Sequence, residues 1–89
     1  MAWKVRLSER ARKDLRRLDK PVAKRVLTFL HDRIEGIADP RRIGKALTGS
    51  ERGEFWRYRV GDWRAVCSIH DGTSIVFVLT VQHRGAAYR

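Results

Sequence analysis

From residue 54 to residue 81 an apolar side chain recurs at least every second position, and the pattern breaks only at Gly61-Asp62 and over residues 70–74, around Asp71-Gly72. A period of two turns alternate side chains to opposite faces of an extended chain, where a helix would repeat every 3.6 residues. Three strands, over residues 54–60, 63–69 and 74–81, are joined by turns too short for a crossover, so they pair antiparallel with their neighbours. In the first, Trp56, Tyr58 and Val60 share one face while Phe55, Arg57 and Arg59 share the other. In the second, Ala65, Cys67 and Ile69 oppose Arg64, Val66 and Ser68. The third, SIVFVLTV, is nearly continuous in apolar and β-branched residues, the pattern of a central strand buried on both faces. Asp71-Gly72 signals a tight hairpin before it.

The first half of the chain reads differently. Residues 2–7 alternate, with Trp3, Val5 and Leu7 against Lys4 and Arg6, as a short strand does. Ser8 is placed to cap a helix that runs to about Leu18, with Glu9 in its first turn and Ala11, Leu15 and Leu18 on one stripe. Asp19 is placed to cap a second helix, entered through Pro21 and carrying Val22, Val26, Phe29 or Leu30, Ile34 and Ile37 on its apolar stripe. Gly36 and Asp39-Pro40 end it. Residues 38–53 are irregular and rich in Gly, Pro and Ser, with Ile43 and Leu47 expected to pin them to the core. The predicted fold is α+β, in the order β-α-α-β-β-β: a helical hairpin on one face of a curved, mainly antiparallel sheet, with the first strand as an edge partner and the other face open. Residues 1–89 are expected to form one domain, since so short a chain supports a single core.

Charge narrows the partners. Twenty Lys and Arg face 10 Asp and Glu, a net +10, while 43% hydrophobic residues are enough for a core. Fifteen of the cations are arginine, whose planar fork suits bidentate phosphate contacts and stacking on bases, so nucleic acid is the expected partner class. Cys67 stands alone, which rules out an internal disulfide and a cysteine-based zinc site and fits a reducing compartment. No apolar run approaches the roughly 20 residues of a membrane span, and the charged start MAWKVRLSER is unlike a signal peptide. A cytoplasmic location and no membrane partner are expected.

Arg57, Arg59, Arg64 and Arg84 come from three consecutive strands or their ends, and Arg57 and Arg59, two apart, co-project. Converging guanidinium groups repel one another, so such an arrangement points to an anionic ligand. Beside Arg84, in the tail HRGAAYR, His83 can exchange a proton and Tyr88 can stack on a base, which completes an acid–base and phosphate-binding set. His31 and His70 read as surface residues, and a metal would need the three histidines to meet across helix, turn and tail at spacings that match no common site. No metal or cofactor is expected. Trp3 and Trp56 read as core, whereas Trp63, by the turn, is expected near the open face.

The order of elements, the segment GKALTGSERGEFWRYRVGDWRAVCSIHDGTSIVFVLTVQHRGAAYR and the ending HRxxxY resemble the RelE/ParE superfamily of toxins from bacterial toxin–antitoxin modules, most specifically in RYRVGDWR and HRGAAYR. The resemblance covers nearly the whole chain and favours the RelE-like branch. It implies a ribosome-dependent endoribonuclease that cuts mRNA and inhibits translation, silenced by a cognate antitoxin in a hetero-oligomer that binds operator DNA through the antitoxin. Arg57 and Arg59 fall where such toxins have basic residues, often lysines. By the same resemblance Arg64 contacts the scissile phosphate, Arg84 stabilises the transition state or protonates the leaving oxygen, and Tyr88 stacks on or activates the nucleotide. The departure is arginine at both lysine positions, since a guanidinium cannot serve as a general base; that duty falls on Tyr88 or His83. Two rivals are a ParE-like inhibitor of DNA gyrase, against which HRxxxY argues, and a non-catalytic nucleic-acid-binding or co-repressor module.

Overall fold

The period-two segments fold into antiparallel neighbours at the centre of one sheet. The structure, a computed structural model, describes residues 2–47, 49 and 53–85. Strand β1 (Lys4–Leu7) is followed by helices α1 (Glu9–Arg16) and α2 (Lys20–Phe29), a two-residue strand β2 (Lys45–Ala46), and strands β3 (Phe55–Val60), β4 (Trp63–His70) and β5 (Ile75–His83). The sheet order is β1-β5-β4-β3-β2, with β1 parallel to β5 and the other pairs antiparallel. Both helices bury their apolar stripes against one face of this mixed sheet, the predicted α+β arrangement with the first strand at an edge. The opposite edge strand, β2, is absent from the sequence reading because two residues carry no period.

The helix ends follow local chemistry, with one exception. Ser8 Oγ accepts the Ala11 amide at 2.9 Å and donates to the Leu79 carbonyl at 2.8 Å, so it caps α1 and ties it to β5. Asp19 makes no side-chain cap; α2 is entered through Pro21, and the Asp19 carbonyl accepts the Ala23 amide. Ala11 and Leu15, then Val26, Leu30 and Ile34, are buried at four-residue spacing. At Leu30 the second helix loosens into a π-turn through Ile34, closed by the Glu35 amide on the Leu30 carbonyl. Gly36 then takes φ +81° and its amide donates to the Trp3 carbonyl, which ends the helix against the strand that begins the fold.

Facing the helices, the sheet contributes Tyr58, Val60, Ala65, Cys67, Ile69, Val76, Val78 and Val81 to the core. Burial pushes the Cys67 thiol up to about 12, which keeps it an inert apolar filler. Three expectations need correction. The last strand is not buried on both faces: β5 has a strand on either side, but Ile75, Phe77 and Leu79 are only half-buried, because among the described residues no layer covers that face. The second hairpin has four residues rather than two, since His70 pairs with Ile75, and its left-handed position is Ser74 at φ +55° rather than Gly72. Trp63 packs against the core instead of the open face.

One irregularity decides which tail residues share a face with the strand arginines. Opposite Val66 and Cys67 of β4 stand Thr80 and Val78 of β5, so Leu79 is an extra, unpaired residue in the last strand. A one-residue insertion swaps the face to which every later side chain points. Asp14, on α1, clamps this bulge: its Oδ2 accepts the Val81 amide at 3.0 Å and the Thr80 hydroxyl at 2.7 Å. Burial pushes the Asp14 carboxyl up, but the bonds from Val81, Thr80 and Arg10 outweigh it and hold the group below its ordinary value. The unfolded chain therefore binds this proton more readily than the folded one. The stability Asp14 supplies is complete above its unfolded pKa of roughly 4 and drains away as pH falls through the lower folded value. Asp14→Ala is expected to cost about 1–3 kcal/mol at neutral pH, leaving the Val81 amide without its acceptor. Urea melts across the acid range are expected to show the gap between variant and wild type closing as the pH drops; a pH-independent gap would refute the clamp.

Candidate active site

The arginines of the two middle strands gather on the open face. Arg59 and Arg64 are direct cross-strand partners in the β3–β4 pair, and Arg57 shares their face two residues along the strand. On the other side of β3, Lys45 stands opposite Arg57. With Gly44, these four side chains line a cleft of about 90 Å³ to which no acidic side chain among the described residues contributes. Like charges placed directly opposite repel, and the Arg59–Arg64 and Lys45–Arg57 pairings each set that repulsion against the pairing of the strands. Such a concave cationic surface suits a phosphate, with forked guanidinium donors to grip its oxygens.

The loop that delivers Lys45 is fastened from three sides. Trp56 Nε1 donates to the Ile43 carbonyl at 2.7 Å, and the buried Tyr58 hydroxyl donates to the Pro40 carbonyl at 2.7 Å. Burial pushes the Tyr58 phenol well up, which keeps it a donor. Arg41, in the short 3₁₀ turn Pro40–Arg42, grips both carboxylate oxygens of Asp71 at 2.8 and 3.0 Å and donates through Nε to the Gly53 carbonyl at 3.0 Å. The hydrogen bond from Arg41 holds the Asp71 carboxyl below its usual range. Ile43 does pack against the core, as expected, while Leu47 is half-buried and held through its amide on the Phe55 carbonyl. The sequence reading missed Lys45 as a site residue; the available signal was the glycine before it. Gly44 sits at φ +79°, and a Cβ there would lie 2.4 Å from the Arg57 carbonyl oxygen, so only glycine lets the loop press this closely on β3.

The tail divides. The Arg84 amide donates to the Asp62 carbonyl at 2.7 Å, which brings this residue to the β3–β4 turn, two residues from Arg64 in sequence. Beyond the bulge, Gln82 pairs with Arg64 and so shares the arginine face. His83 pairs with Trp63 on the opposite, helix-facing side, its ring edge-on to the indole at 5.1 Å, and its Nδ1 accepts the Gly85 amide. The fold therefore brings Arg57, Arg59 and Arg64 together, adds Lys45, and leads Arg84 to the same end of the sheet, while His83 is kept apart from them. Tyr88 lies outside the described residues. His31 and His70 are both exposed, and among the described residues no three His, Cys, Asp or Glu side chains are grouped to hold a metal ion.

Comparison with known proteins agrees with this architecture. The family described as "ParE toxin of type II toxin-antitoxin system, parDE" matches residues 5–88. The chain is 31% identical over 87 residues to Toxin RelE of Mycobacterium tuberculosis, covering 98% of this chain and 87% of that protein. It is 33% identical over 89 residues to Toxin RelG of the same organism, covering 100% and 99%. Its fold superposes with a TM-score of 0.78 on a chain from the crystal structure of the toxin–antitoxin complex RelBE2 from Mycobacterium tuberculosis, at 30% identity over 94% of this chain and 100% of the other. A match that spans nearly every residue, on a fold whose cationic cleft was built from sequence upward, has one meaning: the chain belongs to the RelE/ParE superfamily, as a RelE-like toxin of a type II toxin–antitoxin system.

Proposed function

We propose that this toxin is an endoribonuclease that cuts mRNA on the ribosome and so arrests translation. The observation that carries the reading is the convergence of Arg57, Arg59, Arg64 and Lys45 on one cleft. In the chemistry that suits it, a ribose 2′-hydroxyl attacks the adjacent phosphate, and the guanidinium groups meet the negative charge that grows on the phosphorane. Arg64 and Arg57, on adjoining strands, would grip the scissile phosphate, Arg59 would steer the backbone, and Arg84 would stabilise the departing 5′-oxygen from the sheet end. Tyr88 would stack on the nucleotide. His83, turned to the other face, is the weakest member of the expected set.

A cognate antitoxin is part of the same proposal. The complex RelBE2 joins a similar toxin to an antitoxin, and this chain offers a groove of about 440 Å³ lined by Leu7, Ile75 and Phe77 with Arg6 at its rim. An acidic amphipathic segment would bury the apolar floor and neutralise the cations in a hetero-oligomer, binding operator DNA through the antitoxin. Induced expression without the antitoxin is expected to stop growth, with primer extension showing new 5′ ends within messages. Intact messages with an induced DNA-damage response would replace this reading by gyrase poisoning, the activity of the ParE-like branch.

A further inference from the structure

Attack by a 2′-hydroxyl needs a group that takes its proton. The three cleft arginines cannot, since a guanidinium stays protonated in proteins. Of the two candidates that the sequence offers, His83 stands on the far face of the sheet beside Trp63 and Tyr88 lies outside the described residues. Among the described residues that line the cleft one side chain differs in kind: Lys45 ends in an amine, which can give up its proton and take another. Its position is also the most deliberately built in the site. Lys45 is held opposite Arg57 against like-charge repulsion, on a strand of only two residues. Three anchors, at Pro40, Ile43 and Gly53, and a glycine in contact with the β3 backbone keep that short strand in place.

We infer that Lys45 is the proton acceptor for the ribose 2′-hydroxyl of single-stranded RNA bound in the cleft, an assignment that rests on the endoribonuclease reading. The lone pair of the Lys45 amine takes the 2′-hydroxyl proton as the 2′-oxygen forms its bond to phosphorus. The bond from phosphorus to the 5′-oxygen breaks, the 5′-oxygen keeps the electron pair and takes a proton from water, and Lys45 returns its proton to solvent. The products are a 2′,3′-cyclic phosphate and a 5′-hydroxyl.

The test uses the full chain, Lys45→Arg and Lys45→Ala, with a mixed-sequence RNA oligonucleotide free and on programmed ribosomes, and its all-deoxy counterpart as a binding probe that cannot be cut. Wild-type cleavage is expected to rise with pH. Lys45→Arg is expected to bind the deoxy probe as the wild type does yet cleave roughly 10²-fold more slowly, with the pH dependence lost. Added methylamine is expected to restore cleavage to Lys45→Ala and not to Lys45→Arg, which a merely structural role would not produce. Lys45→Arg cutting at the wild-type rate with an unchanged pH profile overturns the assignment and leaves the endoribonuclease reading standing. A wild type that cuts neither substrate overturns both.

Discussion

Arg64→Ala and Arg84→Ala are each expected to abolish growth arrest in cells expressing the toxin without antitoxin, and to slow RNA cleavage by about 10²- to 10³-fold, the usual cost of removing one well-placed donor to a developing anion. Folding should not suffer. Arg64 faces Arg59 directly across the β3–β4 pair, and like charges in that position weaken a sheet, so relief of this repulsion offsets part of what is lost with the side chain's other contacts, and the variant should still fold. Arg84 is exposed, and its amide, not its side chain, bonds Asp62. Activity falling far more than stability is the signature of residues kept for a ligand. Growth assays paired with urea melts of the purified variants check both halves. If both variants remain fully toxic, the cleft is not where the chemistry happens.

Gly44→Ala is expected to have the largest structural effect of the glycine-to-alanine changes among the described residues. Its backbone at φ +79° costs an L-residue about 1–2 kcal/mol. The new Cβ would also meet the Arg57 carbonyl oxygen at 2.4 Å and the Trp56 Nε1 at 2.7 Å, the first being strand backbone that cannot swing aside. The relief available is for β2 to peel from β3, which takes Lys45 from the cleft and frees the Ile43 carbonyl from Trp56. Cleavage and stability should fall together, by roughly 10²-fold and a few kcal/mol. Gly49 is the matched control: φ is +89°, but nothing among the described residues lies within 4 Å of its would-be Cβ, so Gly49→Ala should show chiefly the local backbone strain. Equal behaviour of the two variants, in melts and in cleavage of an RNA oligonucleotide, would mean that the β2–β3 contact does not position the site.

Much of this site was legible from alternation. Arg57 and Arg59 share a face because they are two residues apart on one strand, and Arg64 joins them because a two-residue turn at Gly61-Asp62 places it opposite Arg59. Ser8 and Pro21 likewise mark helix starts through chemistry confined to a few neighbouring residues. Lys45 was illegible for the opposite reason. Its approach to Arg57 depends on Tyr58, Trp56 and Arg41 reaching carbonyls 12 to 18 residues away, contacts that no local period records.

The bulge at Leu79 draws the same line in the tail. Without that one extra residue the helix-facing set would run Val76, Val78, Thr80 and Gln82, and His83 would share the arginine face. With it, Val81 and His83 turn to the helices and Gln82 to Arg64. Nothing in SIVFVLTVQH announces the insertion, because Ser8 and Asp14, some 70 residues earlier in the chain, hold it in place. The elements, the strand faces and the cationic character of the open surface are properties of neighbouring residues, and the order of amino acids is enough to set them. Which cations meet, which tail residue joins them and which apolar face stays bare depend on a register fixed by contacts distant along the chain, and those exist only once it has folded.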